Sequence, residues 1–122
     1  MRVLYKDEYV RNLFEDLRDH KSNKKKLQKV ISFEYLRSIK MKFDQLLASP
    51  NFYFVIYQRI GKCEALVGDM KGKYSIHISA NYRIIISPNS LSLEINDLKL
   101  CEEFYIEGVV DYHGNKQNWI IP

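Results

Sequence analysis

The feature that most constrains the fold is a pair of segments between Gly72 and Ser87 in which apolar and polar side chains alternate. The apolar positions are Tyr74, Ile76, Ile78, Tyr82, Ile84 and Ile86, and the polar positions between and after them include Ser75, His77, Ser79, Arg83 and Ser87. A period of two residues is typical of β-strands with one buried face. We therefore predict two strands joined by a tight turn.

The register of this predicted hairpin follows from the requirement that one face be apolar in both strands. A three-residue turn, Ser79-Ala80-Asn81, aligns the apolar positions, whereas a two-residue turn would mix the faces. Asn81 is expected to adopt the left-handed conformation, which asparagine tolerates better than most residues. The same register places His77 opposite Arg83 on the polar face, and this is the face on which we expect chemistry.

A last strand is predicted from about Phe104 to Asp111. Alternation groups Phe104, Ile106, Val110 and Tyr112 on one side, and Glu107, Val109, Asp111 and His113 on the other. Asp111 and His113 therefore project together if the strand is regular. We expect His113 and Arg83 to open onto one concave patch of a single sheet.

The first half of the chain is predicted to be mainly helical. Arg2 to Tyr5 is typical of a short strand, and Glu8 to Arg18 carries an apolar stripe with helical spacing. A second helix has its apolar face at Tyr35, Leu36, Ile39, Phe43, Leu46 and Leu47, and it ends at Ser49-Pro50. Its start is open between a cap at Ser22 or Asn23 and a fresh start capped by Ser32.

The segments around the hairpin give weaker patterns. Phe52 to Gln58 is apolar and fits a buried connection or a short helix, and Cys63 to Val67 fits a short strand closed by a Gly68-Asp69 turn. Residues 88–103 are interpreted as an insertion with a short strand at Ser92 to Ile95. The elements favour a single α+β domain over residues 1–122, with two N-terminal helices packed on a small, mostly antiparallel sheet.

The formal charge of +4 is concentrated in one segment. Between Lys21 and Lys42 there are eight lysines and arginines, among them Lys24, Lys25 and Lys26, and one acidic residue, Glu34. A field of this sign attracts phosphate backbones or an acidic partner, and a solvated helical face is the alternative interpretation. We expect the three consecutive lysines, and His77 on the polar face of the hairpin, to be RNA-binding residues.

Location and cysteine chemistry follow from what the sequence lacks. The longest apolar run, Phe52 to Tyr57, is too short to cross a bilayer, and the N-terminus has charges at Arg2 and Lys6 without a signal-peptide core. We expect a cytoplasmic protein. Cys63 and Cys101 are accordingly predicted to be buried thiols and not a disulfide or a zinc site.

Three segments taken together, GDMKGKYSI, ANYRIII and VVDYHG, resemble the HigB-like plasmid-maintenance killer toxins of the RelE/ParE superfamily. The segments LLASPN and GKCEAL fall in the expected order, so the resemblance covers nearly the whole chain. It implies a RelE-like fold and a toxin that cleaves messenger RNA on the ribosome without a metal or other cofactor. It also implies a hetero-oligomer with a HigA-type helix-turn-helix antitoxin.

The resemblance also implies which residues act. The family's Asp-Tyr-His ending matches Asp111, Tyr112 and His113, its hairpin arginine matches Arg83, and its lysines that contact the RNA backbone match Lys71 and Lys73. The sequence departs from the family at Glu64 and Val67, where many relatives have a histidine and a lysine.

Metal-free RNA cleavage needs one group to take the proton of the ribose 2′-hydroxyl and another to protonate the departing 5′-oxygen. His113 suits one of these steps because histidine titrates near neutrality, and Asp111 would orient it. Arg83 would neutralise charge on the phosphorus, and Tyr112 would stack on a base or bind the phosphate. Glu64 and His77 are the alternative proton acceptors.

Two other interpretations stay open. A non-catalytic toxin on the same scaffold, either a ParE-like gyrase inhibitor or a ribosome binder that does not cleave, would act through the basic helix. An antitoxin would cover exposed apolar residues of the first helix or of the tail, Trp119, Ile120 and Ile121.

Overall fold

The computed structural model describes residues 1–18, 25–113 and 116–122, without the side chain of Lys25. The sheet strands in this part are β1 (Arg2–Tyr5), β2 (Glu64–Ala65), β3 (Tyr74–His77), β4 (Tyr82–Pro88), β5 (Glu103–His113) and β6 (Lys116–Ile121). The helices are α1 (Glu8–Arg18), α2 (Lys25–Gln28), α3 (Phe33–Ala48), α4 (Phe52–Tyr57) and α5 (Ile95–Lys99). The predicted α+β class is confirmed, although α2 is an additional helix between the two that were predicted.

The observed helix starts can be compared with the bounds and capping residues that the sequence predicted. The helix α1 has the predicted bounds, and the Asp7 carboxylate accepts a hydrogen bond from the Val10 amide at 2.9 Å. The second predicted helix is α3, which starts fresh after Ser32, although the Ser32 side chain makes no capping bond. The alternative caps, Ser22 and Asn23, lie outside the described residues. The apolar segment after it forms α4, capped by Asn51.

The sheet has the strand order β1-β5-β4-β3-β2, and β6 also pairs with β5. The parallel strand β1 runs along the first half of β5, from Glu103 to Ile106, and β6 pairs antiparallel with the second half, from Val109 to His113. The remaining neighbours are antiparallel, so the sheet is mostly antiparallel, as predicted. The strand β6 was not predicted because its exposed polar residues give no alternation.

The predicted hairpin register is confirmed, since Ile76 lies opposite Ile84 and His77 opposite Arg83. The prediction of a left-handed Asn81 is wrong, because the non-glycine residues with positive φ in the described part of the chain are Arg59 and Lys62. The turn is closed instead by the Ser79 hydroxyl, which accepts a bond from the Tyr82 amide at 3.1 Å. The Asn81 carbonyl accepts a bond from β5.

A β-bulge in β5 changes which side chains face the core. Ile85 lies opposite Gly108 and Ile86 opposite Ile106, so Glu107 is an extra residue in the strand. The side-chain alternation therefore reverses at this point. Val109 joins the hydrophobic core, whereas the sequence pattern had assigned that side to Val110.

Two further local predictions are wrong or too long. The segment Ser92 to Ile95 was predicted as a strand, but residues 95–99 form α5, in which the Leu98 amide donates to the Glu94 carbonyl. The predicted strand Cys63 to Val67 is reduced to the two residues of β2, and the turn after it is a 3-10 turn, Gly68–Met70. The β5 strand extends two residues beyond its predicted end.

The hydrophobic core lies between the helices and one face of the sheet. Its largest fully buried side chains include Phe14, Phe43, Phe52 and Phe104. Cys63 and Cys101 are buried free thiols, as predicted, and burial raises the pKa of the Cys63 thiol to about 12. None of the helices in the described segments has both the length and the apolar character needed to span a bilayer.

Candidate active site on the outer face of the sheet

The face of the sheet that points away from the helices carries a groove of about 360 Å³. It is formed where β2, β3, β4 and β5 lie side by side. The residues that line it are Glu64, Ala65, Leu66, Val67, Ser75, His77, Arg83 and Tyr112. The groove thus combines four of the sequence-predicted site residues, Glu64, His77, Arg83 and Tyr112.

Arg83 lines the groove and is held in place by its own hairpin. Its Nη1 atom donates to the carbonyl oxygens of Ser79 at 2.9 Å and Tyr82 at 3.1 Å. The guanidinium lies over the Tyr112 ring, 5.5 Å from the ring centre. Nε and Nη2 make no hydrogen bond within the described residues. Two hydrogen-bond donors of the fixed Arg83 guanidinium are therefore available to a ligand in the groove.

His77 faces Arg83 across the hairpin and is half-buried. Burial is the main cause that lowers the pKa of His77, and the charges of Arg83 and Lys62 lower it further. Glu64 opposes this effect. Because the pKa lies below the ordinary value for histidine, His77 is neutral at pH 7, and one ring nitrogen is able to accept a proton.

Glu64 and Val67 form the outer wall of the groove. Glu64 lies opposite Ser75 at the edge of the sheet and is exposed. Val67 is 84% exposed, so the position brings an apolar surface to the groove and no charge. The charged residues that line the groove are therefore one cation, Arg83, and one anion, Glu64.

Asp111 and His113 project together, as expected, but from the other face of β5. Asp111 lies opposite Tyr82, whose ring packs against Tyr35 of α3 with 4.5 Å between ring centres. The His113 Nδ1 atom is 3.1 Å from Asp111 Oδ1, a contact that is an ion pair only when the imidazole is protonated. Arg83 lies opposite Val110. The expected common patch of Arg83 and His113 is therefore not formed, because the bulge reverses the alternation before these residues.

The predicted RNA-binding lysines that the structure describes are not among the residues lining the groove, although the Leu66 amide of the groove donates to the Lys73 carbonyl at 2.9 Å. Lys73 forms an ion pair with Glu107 at 3.3 Å, and Lys71 is exposed after the 3-10 turn. Lys26 is exposed on α2, on the helical side of the sheet. Lys24 lies outside the described residues, and for Lys25 the structure describes only the backbone.

Lys62 is the residue near the groove that the sequence analysis missed. It lies in a turn before β2, and its charge acts on His77. No periodic pattern marks this turn, and the neighbouring Gly61 was the signal that could have pointed to it.

Two solved structures have a similar fold. A YoeB/ParE toxin from Agrobacterium tumefaciens aligns with a TM-score of 0.52 and 15% identity, covering 93% of this chain and all of the other. A YoeB-YefM complex from Staphylococcus aureus aligns with a TM-score of 0.51 and 15% identity, covering 93% of this chain and 97% of the other. Comparison with protein-family models and with curated proteins gave no match. These likenesses concern the fold alone: this chain is folded like the two toxin structures.

Proposed function

We propose that this protein is the toxin of a toxin–antitoxin pair and that it cleaves RNA in the groove, without a metal. The observation that carries the proposal is a neutral, half-buried His77 directly opposite the Arg83 guanidinium. A proton acceptor beside a fixed cation is what metal-free phosphodiester cleavage requires. The sequence resemblance adds the finer proposal of a HigB-like toxin that acts on messenger RNA at the ribosome.

In this mechanism His77 takes the proton of a ribose 2′-hydroxyl, and the 2′-oxygen attacks the adjacent phosphorus. Arg83 binds the non-bridging oxygens through Nε and Nη2 and stabilises the charge that develops on them. The bond from phosphorus to the 5′-oxygen breaks, and the Tyr112 hydroxyl protonates that oxygen while its ring stacks on a base. The products are a 2′,3′-cyclic phosphate and a 5′-hydroxyl.

Glu64 is the alternative proton acceptor, but His77 fits the role better. Glu64 is exposed at the sheet edge, and a carboxylate there repels phosphate. His77 is neutral and lies beside the cation that binds the reacting group. Asp111 and His113, on the other face of β5, would act on RNA that passes over the end of the strand.

Replacing His77 with alanine is expected to slow RNA cleavage by roughly 10²–10⁴-fold, the usual contribution of a positioned general base. In the wild type, activity should fall as the pH drops through the lowered pKa of His77, which lies below the ordinary value of about 6.5. The variant should lose this acidic limb. Both effects are measured as single-turnover rates on messenger RNA in a ribosome-containing translation extract.

Glu64→Ala and His113→Ala are the comparison variants for this test. If His77 is the base, Glu64→Ala retains the acidic limb and most of the rate. A wild-type rate in His77→Ala, together with loss of cleavage in Glu64→Ala or His113→Ala, would assign the proton transfer to that residue and overturn the groove mechanism. Mapping RNA 5′-ends after brief induction applies the same comparison in cells.

One observation favours a non-catalytic toxin as the second candidate. The Asp111 and His113 pair, which the resemblance links to activity, lies on the face opposite Arg83. A gyrase inhibitor or a ribosome binder needs no such pair. For this candidate, growth arrest would persist in His77→Ala and Arg83→Ala while messenger RNA stays intact.

We also propose an antitoxin as the partner, which one of the similar structures, a YoeB-YefM complex, supports. The HigA type is the finer proposal and rests on the sequence resemblance. On the surfaces expected to bind it, Tyr9 of α1 is 46% exposed, but most of the other apolar residues are buried within the fold. Val10, Leu13, Phe14 and Leu17 of α1 are buried, and Ile121 is buried in β6. Trp119 is 38% exposed and lies beneath the Lys6 ammonium.

The helical layer instead carries an apolar groove of about 640 Å³. Its lining residues are Gln28, Phe33, Leu36, Arg37, Lys40, Met41 and Asp44. Phe33 is 75% exposed and Met41 48%, which is unusual for large apolar side chains of a helix. Arg37 flanks them, as does Lys40, which forms an ion pair with Asp44 at 3.0 Å. An amphipathic helix with acidic residues beside its apolar stripe complements this surface in both respects.

Replacing Phe33 with serine is expected to weaken partner binding about 30-fold, the effect of losing one large apolar anchor of about 2 kcal/mol. The dissociation constant is measured by calorimetry against a HigA-type helix-turn-helix antitoxin. Leu91→Ser is the matched control, since Leu91 is 97% exposed and lies elsewhere. Equal affinities of the two variants would exclude the α3 groove as the binding surface.

A further inference from the structure

The turn between α4 and β2 is held in an unfavourable backbone conformation. Arg59, Gly61 and Lys62 have φ values of 53°, 55° and 53°, in the left-handed region that residues with a Cβ avoid. Main-chain bonds close the turn, from Lys62 N to the Arg59 carbonyl at 2.9 Å and from Cys63 N to the Ile60 carbonyl at 3.0 Å. Two strained non-glycine residues thus stand within one short turn.

The strained turn is packed against the strand that carries His77. A Cβ added to Gly61 would lie 2.4 Å from Ile76 Cγ2 and 3.5 Å from the amide nitrogen and carbonyl oxygen of His77. Glycine is therefore required at this position, and it lets the turn approach β3 closely. Cys63, the next residue after Lys62, is buried and anchors the chain before it reaches Glu64 in the groove.

The Lys62 side chain makes no hydrogen bond or ion pair within the described residues that would offset this strain, and it is exposed. Its one described interaction is with His77, on which its positive charge acts. Strain of this kind, at a residue whose side chain contributes no packing, is concentrated at functional sites.

We propose that Lys62 is a phosphate-binding residue of the groove, which the strained turn holds beside His77 so that its ammonium contacts the phosphate next to the one being cleaved. This inference rests on the proposed function, because it takes the groove to bind a single RNA strand. The ammonium and the Arg83 guanidinium then bind successive phosphates of one strand. Glu64, the acidic group that faces the same region, limits the net charge.

The test compares Lys62→Gly with Arg59→Gly, which relieves the same kind of strain and removes a charge of the same sign. Both variants should raise the melting temperature, by about 4 °C each, because glycine adopts positive φ without strain. In Lys62→Gly alone, the NMR titration midpoint of His77 should rise, since a neighbouring positive charge is lost while Arg83 and Glu64 remain. This readout requires no RNA.

RNA binding is measured by fluorescence anisotropy with a labelled 2′-O-methyl RNA 12-mer, which lacks the attacking hydroxyl and is not cleaved. Lys62→Gly should bind about tenfold more weakly, and the slope of log K against log salt should decrease by about 0.7, the value for one phosphate contact on a single strand. Arg59→Gly should keep the wild-type slope. Wild-type affinity and slope in Lys62→Gly would overturn the assignment of Lys62, and a wild type that does not bind this RNA would overturn the proposed function as well.

Discussion

Arg83→Ala should reduce RNA cleavage by roughly 10²–10³-fold, which is the cost of removing one positioned donor from a transition state of this kind. The guanidinium is already fixed by the carbonyls of Ser79 and Tyr82, so no ordering is needed when the phosphate binds. The effect should appear in kcat, because Arg83 interacts most strongly with the charge that develops during the reaction. Single-turnover rates with saturating RNA give this value directly.

The controls for Arg83 must separate chemistry from stability, because the variant also loses two hairpin hydrogen bonds. Arg83→Lys retains the charge but not the planar fork, and it should keep only a small part of the activity. Arg37→Ala removes an exposed arginine from the helical layer and should cleave RNA like the wild type. If Arg83→Ala is folded by circular dichroism and cleaves at the wild-type rate, the groove is not the active site.

Gly108→Ala is expected to be the most destabilising single methyl addition in the described chain. Gly108 has a φ of +150°, and a Cβ at this position would lie 1.9 Å from the Ile121 carbonyl oxygen. This atom belongs to the main chain of β6, which pairs with β5, so it has no rotamer through which to move away. We expect a loss of about 3–5 kcal/mol in the free energy of unfolding, or detachment of β6.

Gly68→Ala is the matched control for Gly108. Its φ is +64°, but a Cβ there would meet nothing within 4 Å, so only the backbone strain of about 1–2 kcal/mol applies. Urea unfolding gives both values, and the fluorescence of Trp119, the chain's one tryptophan, reports β6 separately. Equal losses in the two variants would show that the close approach of β5 and β6 is readily relaxed.

The sequence predicted the parts of the fold that a periodic pattern specifies. The hairpin register was recovered because each strand alternates, and α1 was recovered because its apolar stripe is complete. The bulge at Glu107 was missed because it inserts one residue without changing the composition. The strand β6 and the helix α5 lack a clear period, and their form depends on the strand or helix against which they lie.

The same bulge limited the prediction of the site. His77 and Arg83 were placed correctly opposite each other, because no irregularity lies between the two strands that carry them. Asp111 and His113 follow the bulge, and a shift of one residue sends a side chain to the other face. Lys62 was missed because its position depends on a left-handed turn, which a lysine does not signal.

The central place of β5 in the sheet has a consequence for the synthesis of the protein. This strand is the partner of β4, β1 and β6, yet it begins only at Glu103. A nascent chain that has not reached this point has an unpaired β1. Its groove also lacks Tyr112, which is one of the lining residues. The protein therefore gains its proposed activity only once β5 has been synthesised, and shorter products that stop before β5 should be harmless to the cell that makes them.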